Sequence, residues 1–357
     1  MARVLDLRVD KETLERDVPR LIEHIRPEWD PKTIRLRHFS DGLTNFLVGC
    51  YSQADSIDAD PSACLVRLYG NNTDLIIDRE REKRTFETLH AAGCGPPLLA
   101  TFSNGCSYGY VPGKTLDVRS VRDDAVYPMV VAAMAKMHGI RDGSPAKPVL
   151  FETLDRWIGF CAEIMRDARI TDRLENSVVP SEEGLSQELG LLKETLIPLG
   201  SPVLFCHNDL LIGNIILNES AGKVSFIDYE YAGYNYRGFD IANHFCEFAG
   251  INDVDYNLYP DKDLQMKWLK AYLKETNGKI KQKMRKCKIT FFFYLGSESS
   301  LDGLYVEVNK FALASHFFWG VWALIQTKYS EIDFDFLGYS IIRFTEYFRR
   351  KNEFLSL

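Results

Sequence analysis

Three short apolar runs constrain the fold most: Val203-Leu204-Phe205, Ile215-Ile216-Leu217 and Val224-Ser225-Phe226-Ile227. Each is too short for a helix and suited to a buried strand. Polar residues gather at their ends: His207, Asn208, Asp209 and Asn214 lie between the first two, and Asp228 follows the third. Asn218 to Gly222 reads as the turn joining the last two. The flanking sequence has a different period. Val126 to His138, Trp157 to Arg169 and Glu182 to Leu196 repeat their apolar residues every 3.6 positions, and Phe311 to Gln326 and Tyr339 to Arg349 read as further helices. Polar-ended strands set into a mainly helical half are the frame any fold must satisfy.

The upstream half is richer in strand signals. Thr33 to Tyr51 suggests a hairpin turning at Asp41-Gly42, and Cys64 to Tyr69 another strand. Asp78 to Ala92 is an amphipathic helix with Phe86 and Leu89 on one side and Gly93 as its stop. Extended structure resumes after Pro96-Pro97, and Gly105 to Gly113 predicts a hairpin followed by a linker. The chain of 357 residues, 46% hydrophobic, can bury two cores. The expected division is 1–112 as an N-terminal nucleotide-covering lobe including a hinge, and 113–357 as a C-terminal catalytic and substrate-binding lobe.

Composition narrows the classes. A net charge of −7 disfavours nucleic acid and is compatible with a cationic substrate. Eight cysteines without a C-x-x-C pair read as reduced thiols, neither a zinc site nor a disulfide framework. The first residues carry charge where a secretory signal needs an apolar region, and Phe311 to Ile325 is shorter than the ~20 residues that cross a bilayer. A cytoplasmic protein without stable membrane insertion is the expectation. The sequence leaves a homodimer open.

Asp209 and Asn214 are five apart, and this spacing matches the catalytic loop H-x-D-x-x-x-x-N of protein-kinase-like enzymes. Phosphoryl transfer from ATP needs a carboxylate to orient the attacking hydroxyl and oxygen ligands for Mg2+ on the phosphates. Asp209 supplies the first; Asn214 and Asp228 supply the second. The bland alternative is that these are polar turn residues. Arg67, embedded in the run Leu65 to Leu68, and Glu82 on the following helix reproduce the kinase pairing of a strand cation with a helix glutamate, with Arg in place of Lys and Glu80 as a competitor. Ser40 to Asn45 stands where backbone amides of a loop could cover phosphates; an ordinary hairpin turn explains it equally well. The fold class that follows is α+β, a protein-kinase-like two-lobed fold with a small β-rich N-lobe bearing one main helix and a larger, mostly α-helical C-lobe.

Tyr229 to Glu247, directly after Asp228, together with His207 to Asn214, resembles the signature region of the choline and ethanolamine kinase family. The segment Phe248 to Tyr259 is similar to ethanolamine kinases in particular, and the likeness runs from Ser40 to about Phe348. It implies ATP-dependent phosphorylation of ethanolamine to phosphoethanolamine, the first step of phosphatidylethanolamine synthesis by the CDP-ethanolamine route. It also implies Asp209 as catalytic base, Asn214 and Asp228 as magnesium ligands and Arg67 with Glu82 as the strand–helix pair. Ser40 and Asn45 fall in the nucleotide-covering loop, Tyr108 to Val111 (with Tyr110 and Val111 against the nucleotide) becomes the hinge meeting adenine, and Asp240 the residue steadying the catalytic loop.

For the amine end, the resemblance implies an aromatic wall of Trp319, Trp322 and Tyr339 with Glu247 as a nearby acid, alongside Asp209 at the hydroxyl. Aromatic faces attract cations by ~0.5 to 2 kcal/mol each. Without the likeness, Trp319 and Trp322 would read as core. Choline kinases carry a further cage aromatic where this chain has Asn252, Asp253 and Asp255. A primary ammonium needs acceptors whereas a trimethylammonium needs ring faces, so oxygen in place of a ring favours ethanolamine.

Two other motifs carry less. Gly105-Cys106-Ser107-Tyr108-Gly109 fits the pattern of a hydrolase elbow, but Pro112 and Gly113 would break the helix that elbow needs. Gly109 to Thr115 looks like a P-loop and is one residue short between its glycines. The rivals kept open are a choline kinase, an antibiotic-modifying phosphotransferase and a non-catalytic kinase-like ATP-binding protein.

Overall fold

The computed structural model describes residues 2–39, 46–70, 78–251, 253–287, 300–330 and 332–357. The chain forms two compact units: Met1–Thr115 with Ile216–Glu230 and Ser330–Ile332, and Leu116–Ile215 with Tyr231–Tyr329 and Asp333–Leu357.

The smaller unit is built on a six-stranded sheet. Its strands are β1 (Arg3–Val4), β2 (Arg35–Phe39), β3 (Phe46–Tyr51), β4 (Cys64–Leu68), β5 (Leu98–Phe102) and β6 (Gly105–Gly109), in the order β1-β5-β6-β4-β3-β2. All neighbours are antiparallel except β1, which runs parallel to β5. β4 is buried along its whole length, so the charge of Arg67 stands where water cannot solvate it and has to be paired.

Among the described residues of this unit are two α-helices. Helix α1 (Leu14–Ile25) is additional to the one main helix foreseen; its Leu14, Val18, Leu21, Ile22 and Ile25 join Val48, Val66, Ala100 and Phe102 in one core. Helix α2 (Arg79–Ala91) follows the expected span, with the Asp78 side chain accepting from the Arg81 amide at 3.0 Å as its cap. Gly93 ends it at φ 63°, a left-handed position that favours glycine. A three-stranded sheet, β10 (Lys223–Phe226), β9 (Ile215–Asn218) and β7 (Lys114–Thr115), carries two of the three apolar runs.

The larger unit is mostly helical: α3 (Tyr127–His138), α4 (Leu150–Met165), α5 (Ala168–Glu175), α6 (Glu182–Leu196), α7 (Arg237–Cys246), α8 (Lys262–Cys287), α9 (Leu301–Tyr329) and α10 (Phe336–Leu355). Trp157 to Arg169 is not one helix, since α4 starts at Leu150 and stops at Met165 before α5. Helix α9 forms the spine and is buried from Val308 to Gln326 apart from Lys310. A Cβ at Gly320 would lie 2.8 Å from the Phe344 ring, so glycine is what lets α10 approach α9 this closely. A two-stranded ribbon, β8 (Val203–Cys206) with β11 (Gly233–Tyr236), holds the remaining apolar run and presents the polar loop at its end.

Cys50, Cys64, Cys94, Cys106, Cys161, Cys206 and Cys246 are free thiols, all but Cys94 buried. No helix among the described residues is long and apolar enough to cross a membrane.

Candidate active site

In the larger unit the loop 207–214 leaves β8 and is tied down from beneath. The Asp240 carboxylate, fully buried in the first turn of α7, accepts from the backbone amides of His207 at 3.0 Å and Asn208 at 2.7 Å. His138 Nε2 lies 2.9 Å from Oδ2, the same oxygen that accepts from His207, and His138 Nδ1 lies 2.7 Å from the Tyr272 hydroxyl. Burial pushes the Asp240 carboxyl up, but the hydrogen bonds and the neighbouring imidazoles outweigh it and hold the group below the usual carboxylate range. Asp240 is therefore a fixed negative anchor for the loop.

Asn208 pays the conformational cost of the tight turn with φ 67°, a strained value for a residue with a Cβ. Its side chain compensates: Nδ2 donates to the Tyr231 carbonyl at 2.9 Å, and Oδ1 accepts from Asn235 at 2.9 Å. Asn214 Nδ2 donates to the backbone oxygen of Asp209 at 2.9 Å, which locks the two ends of the motif together and turns the amide oxygen of Asn214 outward from that bond. Asp209 and Asn214 are 7% and 8% exposed, nearly dry but not sealed. Low water content strengthens electrostatic interactions at such side chains.

The smaller unit assembles Arg67, Glu82 and Asp228. One guanidinium nitrogen of Arg67 bonds Glu82 Oε1, the other lies 3.3 Å from Asp228 Oδ1, and Arg79 holds Glu82 Oε2 at 2.9 Å. This decides the choice left open by sequence in favour of Glu82. Burial works against the charge on Arg67, yet the carboxylates of Glu82 and Asp228 keep it protonated far above the ordinary range. Asp228 has φ 61°, the second non-glycine residue in the left-handed region among those described, and its side chain is 34% exposed. Glu230 Oε2 lies 4.0 Å from the nitrogen that faces Asp228, and because Arg67 serves these carboxylates from two nitrogens, a single ammonium cannot replace it. Arg67→Lys is expected to leave one buried carboxylate without its partner and so to lower the melting temperature, checked by a thermal melt beside wild type.

The aromatic residues of the larger unit come together. Trp319 and Trp322 contact edge to face at 5.4 Å, and Tyr231 meets Trp319 at 5.4 Å. Both indole N–H groups are engaged: Trp319 donates to Asn243 at 2.6 Å and Trp322 to the Tyr231 hydroxyl at 2.8 Å. Glu247 is 2% exposed, and its Oε1 accepts from Arg343 at 2.9 Å; the same Arg343 nitrogen lies 3.3 Å from the Tyr339 hydroxyl. Burial pushes the Glu247 carboxyl up, with Arg343 pulling it back. Burial pushes the Tyr339 hydroxyl up, with Arg343 pulling it back and the carboxylates of Glu247 and Asp209 adding to the rise.

Tyr110 follows β6 and donates from its hydroxyl to Asp58 Oδ1 at 2.8 Å, with Val111 next to it. Ser40, Asn45 and Asn252 lie outside the described residues. Ser107 sits buried inside β6, so no nucleophile elbow forms there. Tyr231, Asn243 and Arg343, which bond Trp322, Trp319 and Glu247, were not singled out by sequence reasoning. Arg343 had one available signal, its place one helical turn after Tyr339.

Comparison with known proteins gives the family. Residues 36–348 match the family model described as choline/ethanolamine kinase. The human protein named ethanolamine kinase 1 is 46% identical over 342 residues, 94% of this chain and 72% of that protein. A probable ethanolamine kinase of Nematostella vectensis is 40% identical over 352 residues, 98% and 97% of the two chains. Among solved structures, a Plasmodium vivax ethanolamine kinase superposes with TM-score 0.78 at 24% identity over 95% of this chain and 89% of that one, which shows the fold. A small sheet-rich unit and a larger helical one carrying the His-x-Asp loop make this fold protein-kinase-like, and the chain belongs to the choline/ethanolamine kinase family.

Proposed function

We propose that this chain transfers the γ-phosphoryl group of ATP to the hydroxyl of ethanolamine, giving phosphoethanolamine, the opening step of the CDP-ethanolamine route to phosphatidylethanolamine. The observation that carries the reading is the Asp240-anchored loop, which holds Asp209 and Asn214 in fixed relation, in a chain 46% identical to a protein named ethanolamine kinase 1.

Asp209 orients the hydroxyl and accepts its proton as the oxygen attacks phosphorus. Arg67 neutralises phosphate charge, and Glu82, itself anchored by Arg79, keeps the guanidinium in place. Asn214 and Asp228 each offer a hard oxygen of the kind a magnesium ion takes, and such an ion would neutralise charge on the phosphate oxygens. Nearly complete burial keeps water from competing with the alcohol at Asp209. Trp319, Trp322 and Tyr339 offer ring faces to the ammonium. A cytosolic setting is in keeping with the free thiols.

The deciding experiment incubates purified protein with ATP, magnesium and, separately, ethanolamine, choline and the methylated intermediates, reading ADP release. Ethanolamine should give the highest kcat/KM. Choline turning over faster would replace the reading with choline kinase, and no turnover with any of them would end it.

A further inference from the structure

Resting on the ethanolamine kinase reading, the inference concerns how the amine end is recognised. Among the buried polar atoms of the larger unit that lack a hydrogen-bond partner among the described residues are two oxygens, Oε2 of Glu247 and the hydroxyl of Tyr256; Nδ1 of His316 and Nε of Arg343 lack one as well. Leaving such atoms dry and unpaired is costly, and proteins do so mainly where a ligand or water completes the set.

The two belong to one cluster. Tyr256 packs edge to face on the His316 ring at 5.0 Å, His316 Nε2 lies 3.5 Å from the Cys246 thiol, and Cys246 precedes Glu247. Tyr256 also lies within electrostatic reach of Glu247, Arg343 and Tyr339. It is held in a short turn, Tyr256–Leu258, capped by Asp255, whose side chain accepts from the Asn257 amide at 2.9 Å. Asp253 and Asp255 are exposed, so among the described residues of this segment it is the tyrosine hydroxyl, and not a carboxylate, that is buried. Arg343 occupies Oε1 of Glu247, which leaves Oε2 as the oxygen that can receive a donor.

We propose that the Tyr256 hydroxyl and Glu247 Oε2 form a paired acceptor for the N–H groups of a primary ammonium, and that Tyr256 is thereby a determinant of preference for ethanolamine over choline. A trimethylammonium brings no donor and would leave both oxygens buried and unsatisfied. Discrimination by unpaired polar groups is stronger than discrimination by size alone.

Tyr256→Phe removes one oxygen and little else. KM for ethanolamine is expected to rise about tenfold with kcat within about twofold, while KM for choline moves far less, so the preference shrinks by roughly tenfold. The melting temperature should hold or rise, because the hydroxyl has no internal bond to lose. Parallel shifts for the two substrates, no shift for either, or a clearly lowered melting temperature would each overturn the proposal. Failure is separable from that of the kinase reading: wild-type protein inactive on both amines sinks both, whereas active wild type with an unaltered Tyr256→Phe sinks this assignment alone.

Discussion

Asp209→Ala is expected to lower kcat by about a thousandfold or more, within or beyond the range seen when a positioned acid–base group is removed, while the melting temperature stays close to wild type. The second half of that expectation comes from the loop's construction. Asn214 Nδ2 and the Leu211 amide both bond the backbone oxygen of residue 209, at 2.9 Å each, and alanine keeps that oxygen. The anchoring carboxylate belongs to Asp240, not to Asp209. Single-turnover and steady-state rates with ATP and ethanolamine, alongside a thermal melt, check both halves. Near-normal turnover in a folded variant would remove Asp209 from the reaction.

How much of this was legible depended on the range of the interaction concerned. Helix α6 was readable to its ends because its signals are local: Ser181 caps the Gly184 amide at 3.2 Å, and Leu185, Leu189, Leu192 and Leu196 mark one buried face. The motif strands were readable for the same reason, with Gly222 at φ 57° closing the turn between β9 and β10. Helix α1 was obscured. Its apolar stripe runs through a charge-dense stretch with Pro19 inside, and its burial depends on strands far along the chain. Helix α8 falls in the stretch after Tyr234 that reads as helical, but its polar composition gave it no bounds, and α9 extends ten residues before the apolar run that announced it.

The site divides along the same line. The spacing of Asp209 and Asn214 is a local fact, and the loop geometry follows from it. The pairing of Glu247 with Arg343 joins residues 96 apart, and no periodicity signals it. Sequence could therefore nominate Glu247 as an acid for the ammonium, but not foresee that half of its carboxylate is occupied. Glu82 and Glu80 were indistinguishable for a similar reason. Which of two residues on neighbouring helix positions faces Arg67 is set by how α2 packs on the sheet, and Glu82 is the buried one.

Asp240→Asn separates anchoring from chemistry and is expected to cost both activity and stability. Oδ1 of Asp240 accepts from Asn208 N, and Oδ2 accepts from His207 N and stands 2.9 Å from His138 Nε2. An asparagine amide in either orientation sets an NH2 against at least one of these donors. Each buried group left unpaired costs about 1–3 kcal/mol, and the strained φ of Asn208 is then no longer held. A drop of several degrees in melting temperature should accompany a fall in kcat of about a hundredfold, the scale expected when a reacting group is misplaced by about 1 Å. Acid provides an independent check. The Asp240 carboxyl is held below its unfolded range, so its stabilisation is complete above roughly pH 4 and fades as pH falls through the lower folded value. The stability gap between wild type and Asp240→Asn should therefore be widest near neutral pH and narrow in acid. A gap that widened on acidification, or a variant with wild-type kcat, would show that the loop does not depend on this carboxylate.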